Sequence, residues 1–198
     1  LCWALREFGQ VVAVSFDFGQ RHRIELECAA RIVGQLDIPH QVIDAKAAFA
    51  SIRDCALLQG KTEAKSAAHL PATFVPGRNL LFLTLAAIAA YPQGIRDLVI
   101  GVSQVDYSGY PDCREPFIES TQQTVSLAMD EPFAIHAPFL HKSKADEIRL
   151  MQELGQLELY AETHTCYRGQ RPPCGECDAC LMRAKAFAEA GVKDPLVG

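Results

Sequence analysis

The chain has 198 residues, 49% of them hydrophobic and 22% charged, which suits one folded domain with a small appendage and excludes a disordered chain. Its 19 basic residues are outnumbered by 24 acidic ones, for a formal charge of -5, and no basic tract is present. That balance argues against a nucleic-acid partner, whose phosphates are gripped mainly by Lys and Arg, and for a small-molecule one. The longest apolar run, residues 80–91, is interrupted by Thr84 and falls short of the roughly 20 residues a membrane span needs, so no membrane partner is expected.

Residues 1–8 read as the middle or end of a helix. Residues 11–16 (V-V-A-V-S-F) are a short β-branched run, the pattern of a strand buried on both faces of a parallel sheet. A helix over residues 22–36 follows, with Ile24, Cys28, Ile32 and Leu36 at helical spacing. Residues 40–44 form the second strand, completing a strand, crossover helix, strand unit. Residues 46–72 show no clean period, and a short helix near 47–52 followed by an irregular excursion is expected. Asn79 reads as an N-cap for a helix over 80–88, apolar nearly all round and therefore central to the core. Residues 97–102 give a third strand, 115–129 a helix burying Phe117, Ile118, Thr121 and Val125, and 134–137 a fourth strand. A helix opens at Ser143 and runs to about Leu154, and a last helix spans 181–190. Short apolar strands alternating with helices specify a doubly wound, mostly parallel α/β sheet, in which ligands bind beyond the carboxyl ends of the strands.

Four of the eight cysteines fall in one short stretch: Cys166, Cys174, Cys177 and Cys180. The last three are two residues apart, so their sulfurs can converge on one metal, and zinc held by four thiolates suits the ligand set better than an iron–sulfur cluster or a disulfide framework. With every position filled by protein, such a zinc is structural and not catalytic. Cys2, Cys28, Cys55 and Cys113 are scattered, a usage that fits a reducing cytoplasm.

Three loops hold polar residues that could carry chemistry. In Asp17-Phe18-Gly19-Gln20 the side chains can meet a ligand or serve as a helix cap. Pro76-Gly77 places Arg78 and Asn79 at a helix start, where amides and a guanidinium make an anion site, unless it is a bare loop-to-helix junction. Asp106-Tyr107-Ser108-Gly109-Tyr110-Pro111-Asp112-Cys113-Arg114 carries carboxylates, phenols, a hydroxyl and a guanidinium, a kit for a planar heterocycle or else a solvated loop. Lys144 can reach a phosphate or lie exposed.

Taken together, Phe16-Asp17-Phe18-Gly19-Gln20-Arg21-His22, Thr73-Phe74-Val75-Pro76-Gly77-Arg78-Asn79, the Asp106 to Arg114 loop and the four cysteines closely resemble the 7-cyano-7-deazaguanine synthase (preQ0 synthase, QueC) family. The resemblance implies a PP-loop fold of the adenine nucleotide alpha-hydrolase-like type, ATP with Mg²⁺, one structural Zn²⁺ per chain, a cytoplasmic homodimer and a step in queuosine biosynthesis. The implied reaction converts 7-carboxy-7-deazaguanine and ammonia into the nitrile through adenylated intermediates. On that likeness Asp17, Phe18, Gly19, Gln20, Gly77 and Arg78 border ATP, and Arg78 and Lys144 face its phosphates as catalytic groups. Phe74, Asp106, Ser108, Tyr110, Asp112 and Arg114 then hold the deazapurine. Residues 1–158 would form the nucleotide-binding domain and 159–198 the zinc-binding subdomain.

The family also carries an S-G-G-x-D-S loop around the ATP phosphates just after its first strand. That loop and strand are expected to precede Leu1, unless the protein is a non-catalytic remnant, and the chain by itself is expected to bind ATP weakly. Two other readings stand beside this one: a tRNA-thiolating PP-loop enzyme, and a zinc-ribbon interaction module without turnover.

Overall fold

A computed structural model describes residues 1–20, 23–50, 52, 58, 70, 73–103 and 110–198. In chain order the elements are α1 (Cys2–Phe8), β1 (Ala13–Asp17), α2 (Ile24–Gln35), β2 (His40–Asp44), α3 (Lys46–Phe49), α4 (Arg78–Ala90), β3 (Asp97–Val99), α5 (Glu115–Met129), β4 (Ala134–His136), α6 (Lys144–Glu153) and α7 (Asp178–Ala190). Short 3₁₀ stretches lie at Tyr91–Gln93, Pro111–Cys113 and Leu157–Glu162. The chain is a mixed α/β protein with parallel strands that divides into two compact units, residues 1–51 with 144–198 and residues 52–143.

In the first unit β1 and β2 run parallel, in register from Ala13 opposite His40 to Asp17 opposite Asp44. The crossover helix α2 buries Cys28 and Val33. β1 is half-buried along Ala13 to Phe16 and fully buried only at Asp17, so the expectation of a strand buried on both faces is corrected. Among the described residues its one ladder partner is β2. Further along the chain, Ile148 of α6 packs with Ala186 and Phe187 of α7, flanked by Leu157, Tyr160 and Val192. The Tyr160 and Phe187 rings meet edge to face at 5.2 Å.

Arg183 of α7 ties this small core to the chain end. Its guanidinium donates to both carboxylate oxygens of Asp194 at 2.6 and 2.7 Å, to Thr163 Oγ1 at 2.6 Å and to the Tyr160 carbonyl at 3.0 Å. Its face lies 5.2 Å from the Phe187 ring centre and 5.7 Å from that of Tyr160, within cation–π range. Burial, the first cause, and the charge of Glu147 push the Tyr160 phenol up to about 12.

In the second unit β3 and β4 form the other parallel pair, Asp97 opposite Ala134 to Val99 opposite His136. Leu83, Ala87 and Ala90 of α4 pack with Leu98, Ile118, Val125, Phe133 and Ile135. Helix α4 is thus a core helix, but not on every side: Leu80 and Ile88 are 45% and 55% exposed. The buried stripe of Asn79, Leu83, Ala87 and Ala90 shows why, because small alanines let one face approach the core closely while the opposite face is left out. Helix α5 occupies the stretch read from its apolar period and buries Ile118, Thr121 and Val125. Two of its side chains brace β4, Gln122 Oε1 accepting from the Ile135 amide at 2.8 Å and Ser126 Oγ from the Phe133 amide at 3.0 Å. No described helix is long and apolar enough to cross a membrane.

Candidate functional site

The four clustered cysteines converge. Their sulfurs all lie within 4.8 Å of one another, with Cys177 to Cys180 at 3.4 Å and Cys174 to Cys180 at 3.9 Å. Those separations are far beyond a disulfide bond of about 2.05 Å. They suit a thiolate tetrahedron with arms of about 2.3 Å, whose edges are about 3.8 Å. Cys177 is the N-cap of α7 and Cys180 lies in its first turn, where the helix dipole favours thiolate. Although burial alone would raise the Cys166 thiol, amides of Cys174, Gln170 and Arg168 bring it down to about 6. Burial, followed by the neighbouring sulfurs, pushes Cys180 up to about 12. Four thiols held this closely resist joint ionisation unless a cation sits among them, so the cluster can hold a metal such as zinc.

In the same unit, the β1 to α2 turn is organised by its own side chains. The Phe18 amide donates to Gln20 Oε1 at 2.9 Å, and Gln20 Nε2 donates to the Phe16 carbonyl at 3.2 Å. Gly19 takes φ +80°, a left-handed conformation open to glycine at little cost, and its amide donates to Asp17 Oδ1. The buried Asp17 carboxylate also receives Lys46 Nζ at 3.1 Å and Arg23 Nη2 at 2.9 Å, while Lys46 reaches Asp44 Oδ2 at 2.7 Å. Lys46 therefore joins the carboxyl ends of the paired strands β1 and β2. Sequence reading missed it, and its only signal is a lysine two residues beyond a strand-ending Asp.

Burial would raise Asp17, but the Lys46 hydrogen bond, the Gly19 amide and the Arg23 and Lys46 charges hold it below the usual carboxylate range. A depressed folded-state pKa gives stability that is present above the unfolded pKa and lost as pH falls through the folded one. Without Lys46 the folded value is less depressed, so Asp17 contributes less stability above the unfolded pKa and that contribution is gone at a higher pH. Lys46→Met is expected to move the acid-unfolding midpoint to higher pH, as followed by circular dichroism.

In the second unit the segments around residues 73–79 and 110–113 meet at the start of α4. Gly77 caps the helix in the left-handed region at φ +69°, correcting the expectation that Asn79 is the N-cap. Asn79 lies inside the first turn, where its amide donates to Asp112 Oδ2 at 3.2 Å and its side chain donates to the Asp112 carbonyl at 3.0 Å. Thr73 and Tyr110 share a hydroxyl–hydroxyl hydrogen bond, and the Phe74 and Tyr110 rings lie 6.3 Å apart. Arg78, partly exposed, is the first residue of the same helix. The Asn79 amide is thus taken by the protein's own carboxylate.

Lys144 opens α6 in the first unit, where its ammonium pairs with Glu147 Oε1 at 2.6 Å. Arg114, exposed, precedes α5. Asp106 and Ser108, with Arg21, His22 and most of residues 46–72, lie outside the described residues.

The class defined by these features is an α/β protein with parallel strand pairs, polar turns at strand ends and a four-thiol cluster that can hold a metal. The model of the family described as "Queuosine biosynthesis protein QueC" matches residues 1–191, and the chain belongs to that family. It is 49% identical over 203 residues to the 7-cyano-7-deazaguanine synthase of Chromobacterium violaceum, covering 100% of this chain and 86% of that protein. It is 47% identical over 201 residues to the protein of the same name from Laribacter hongkongensis (100% and 87% covered). Against that of Parabacteroides distasonis it is 44% identical over 188 residues (92% and 84% covered).

Proposed function

We propose that the protein is the ATP-dependent ligase that makes 7-cyano-7-deazaguanine (preQ0) from 7-carboxy-7-deazaguanine and ammonia, a step of queuosine biosynthesis. The observation that carries this is identity of 44–49% along nearly the whole chain with three proteins named 7-cyano-7-deazaguanine synthase. Support also comes from the second unit, where an aromatic pair and a buried carboxylate adjoin the start of the helix that bears Arg78.

A carboxylate is a poor electrophile, so it must first be activated. A carboxylate oxygen attacks the α-phosphorus of ATP, and pyrophosphate leaves. Ammonia then adds to the carbonyl carbon of the acyl adenylate, and AMP departs with the C–O bond electrons to leave an amide and a proton. The amide oxygen attacks the α-phosphorus of a second ATP and pyrophosphate leaves; AMP then departs with the C–O bond electrons and the nitrogen gives up both of its protons, which converts C–N into C≡N. Positioning and charge neutralisation do most of the work, and no covalent protein intermediate is needed.

In this proposal Asp17, Phe18, Gly19, Gln20 and Gly77 border ATP, and Arg78 and Lys144 neutralise phosphate charge. Phe74, Asp106, Ser108, Tyr110, Asp112 and Arg114 face the deazapurine. Mg²⁺ bound with ATP supplies further charge neutralisation, and one structural Zn²⁺ on Cys166, Cys174, Cys177 and Cys180 braces the subdomain of residues 159–198 against the domain of residues 1–158. The same proposal takes the sheet as a doubly wound PP-loop type and the working form as a cytoplasmic homodimer with no nucleic-acid partner.

Arg78→Ala in the full-length protein is expected to lower kcat by about 100-fold or more, the scale of losing one charge-stabilising donor, with bound metal per chain unchanged. Near-normal turnover would remove Arg78 from the site.

A further inference from the structure

Asp112 is 7% exposed, and its two carboxylate oxygens do different things. Oδ2 accepts from the Asn79 amide at 3.2 Å, while Oδ1 is buried and has no hydrogen-bond partner among the described residues. The backbone carbonyl of Asp112 is also used, by the Asn79 side chain at 3.0 Å, so this segment is clamped to the first turn of α4. An orphaned carboxylate oxygen shut off from water is costly, and a group that supplies a donor recovers that cost.

The positive end of the α4 dipole lies beside it, which suits a carboxylate and disfavours a cation. A neutral N–H donor satisfies both conditions. The tilted Phe74 and Tyr110 rings, 6.3 Å apart and on segments that adjoin Asp112, are suited to a flat ring. An oxygen set back in the protein is best reached by a group that carries its hydrogens beyond the ring edge.

Building on the ligase activity proposed above, we infer that Asp112 is a specificity-determining residue whose Oδ1 accepts a hydrogen bond from the exocyclic amine of the deazaguanine, while Oδ2 holds the helix turn in place. One carboxylate thus couples the Arg78-bearing helix to recognition of the base.

Asp112→Asn separates the two tasks. The amide oxygen can still accept from Asn79, but the NH2 group then faces the substrate amine donor to donor. The experiment measures the KM of the full-length wild type and of this variant for ATP, for the carboxylated deazaguanine and for an analogue with a carbonyl in place of the exocyclic amine. The KM of the variant for the amine substrate should rise by about 10- to 100-fold, the scale of an unmatched buried polar group. Its KM for ATP should stay within about 2-fold, and its preference should shift to the carbonyl analogue, a reversal that a purely structural role would not produce.

An unchanged amine-to-carbonyl preference overturns the inference. Should the variant fail to fold by circular dichroism, the wild type decides by itself: discrimination below about 10-fold against the carbonyl analogue overturns it, and stronger discrimination supports it. A wild type that forms no nitrile from the amine substrate overturns the activity on which the inference rests, and the inference with it.

Discussion

Cys180→Ser is expected to lower bound metal from one per chain to about zero and to unfold the segment that follows residue 162, because a hydroxyl cannot replace a thiolate on a closed four-sulfur site. The free energy at stake is large. Structural zinc contributes about 10–16 kcal/mol to the folding of small zinc modules, comparable with the whole stability of a typical domain of about 5–15 kcal/mol. Residues 163–177, which connect the last 3₁₀ stretch to α7, hold little regular structure, so a metal bound by the four cysteines would fix much of the course of the chain there. Metal analysis together with amide hydrogen exchange over residues 163–190 checks this. The expected result is near-complete loss of metal and fast exchange, and the same loss should follow prolonged chelation of the wild type.

Asp194→Ala should destabilise the protein by about 3–5 kcal/mol in urea denaturation. Asp194 and Arg183 are 7% and 8% exposed at their side chains and meet in a two-point contact at 2.6 and 2.7 Å. Removing the carboxylate leaves a buried guanidinium against the Tyr160 and Phe187 rings, still donating to Thr163 and the Tyr160 carbonyl but without the Asp194 counter-charge. Replacing both members with apolar residues of similar volume should recover much of the loss, since the cost lies mainly in the uncompensated charge. The double-mutant cycle measures that coupling, and a cost for Asp194→Ala alone below about 1 kcal/mol would show that water reaches the pair.

What could be read beforehand was local. The bounds of α5 follow from its apolar period and the Pro116 in its first turn, and the convergence of the clustered thiols follows from the spacing of Cys174, Cys177 and Cys180. Strand β2 was legible as a short stretch with β-branched Val42 and Ile43 that follows the crossover helix.

Illegible features depend on partners far away in the chain. Asn79 has the residue type of a cap, yet Gly77 caps the helix because Asn79 is drawn to Asp112, 33 residues on. Lys46 looked like one more charge in an unpatterned stretch, and only the parallel register of Asp17 with Asp44 gives it two carboxylates to bridge. Arg183 and Asp194 would pass for surface charges, because nothing in their immediate neighbours announces the aromatic enclosure. Composition likewise overstated the burial of α4, since hydropathy does not say how many neighbours a helix has.

Mass spectrometry of the products formed by the full-length protein from 7-carboxy-7-deazaguanine, ammonia and ATP is the most direct test of the proposed activity. The expected product is the nitrile, preceded by the amide, with AMP and pyrophosphate as the nucleotide products. Recovery of unchanged carboxylate and intact ATP from metal-replete, folded protein would contradict it.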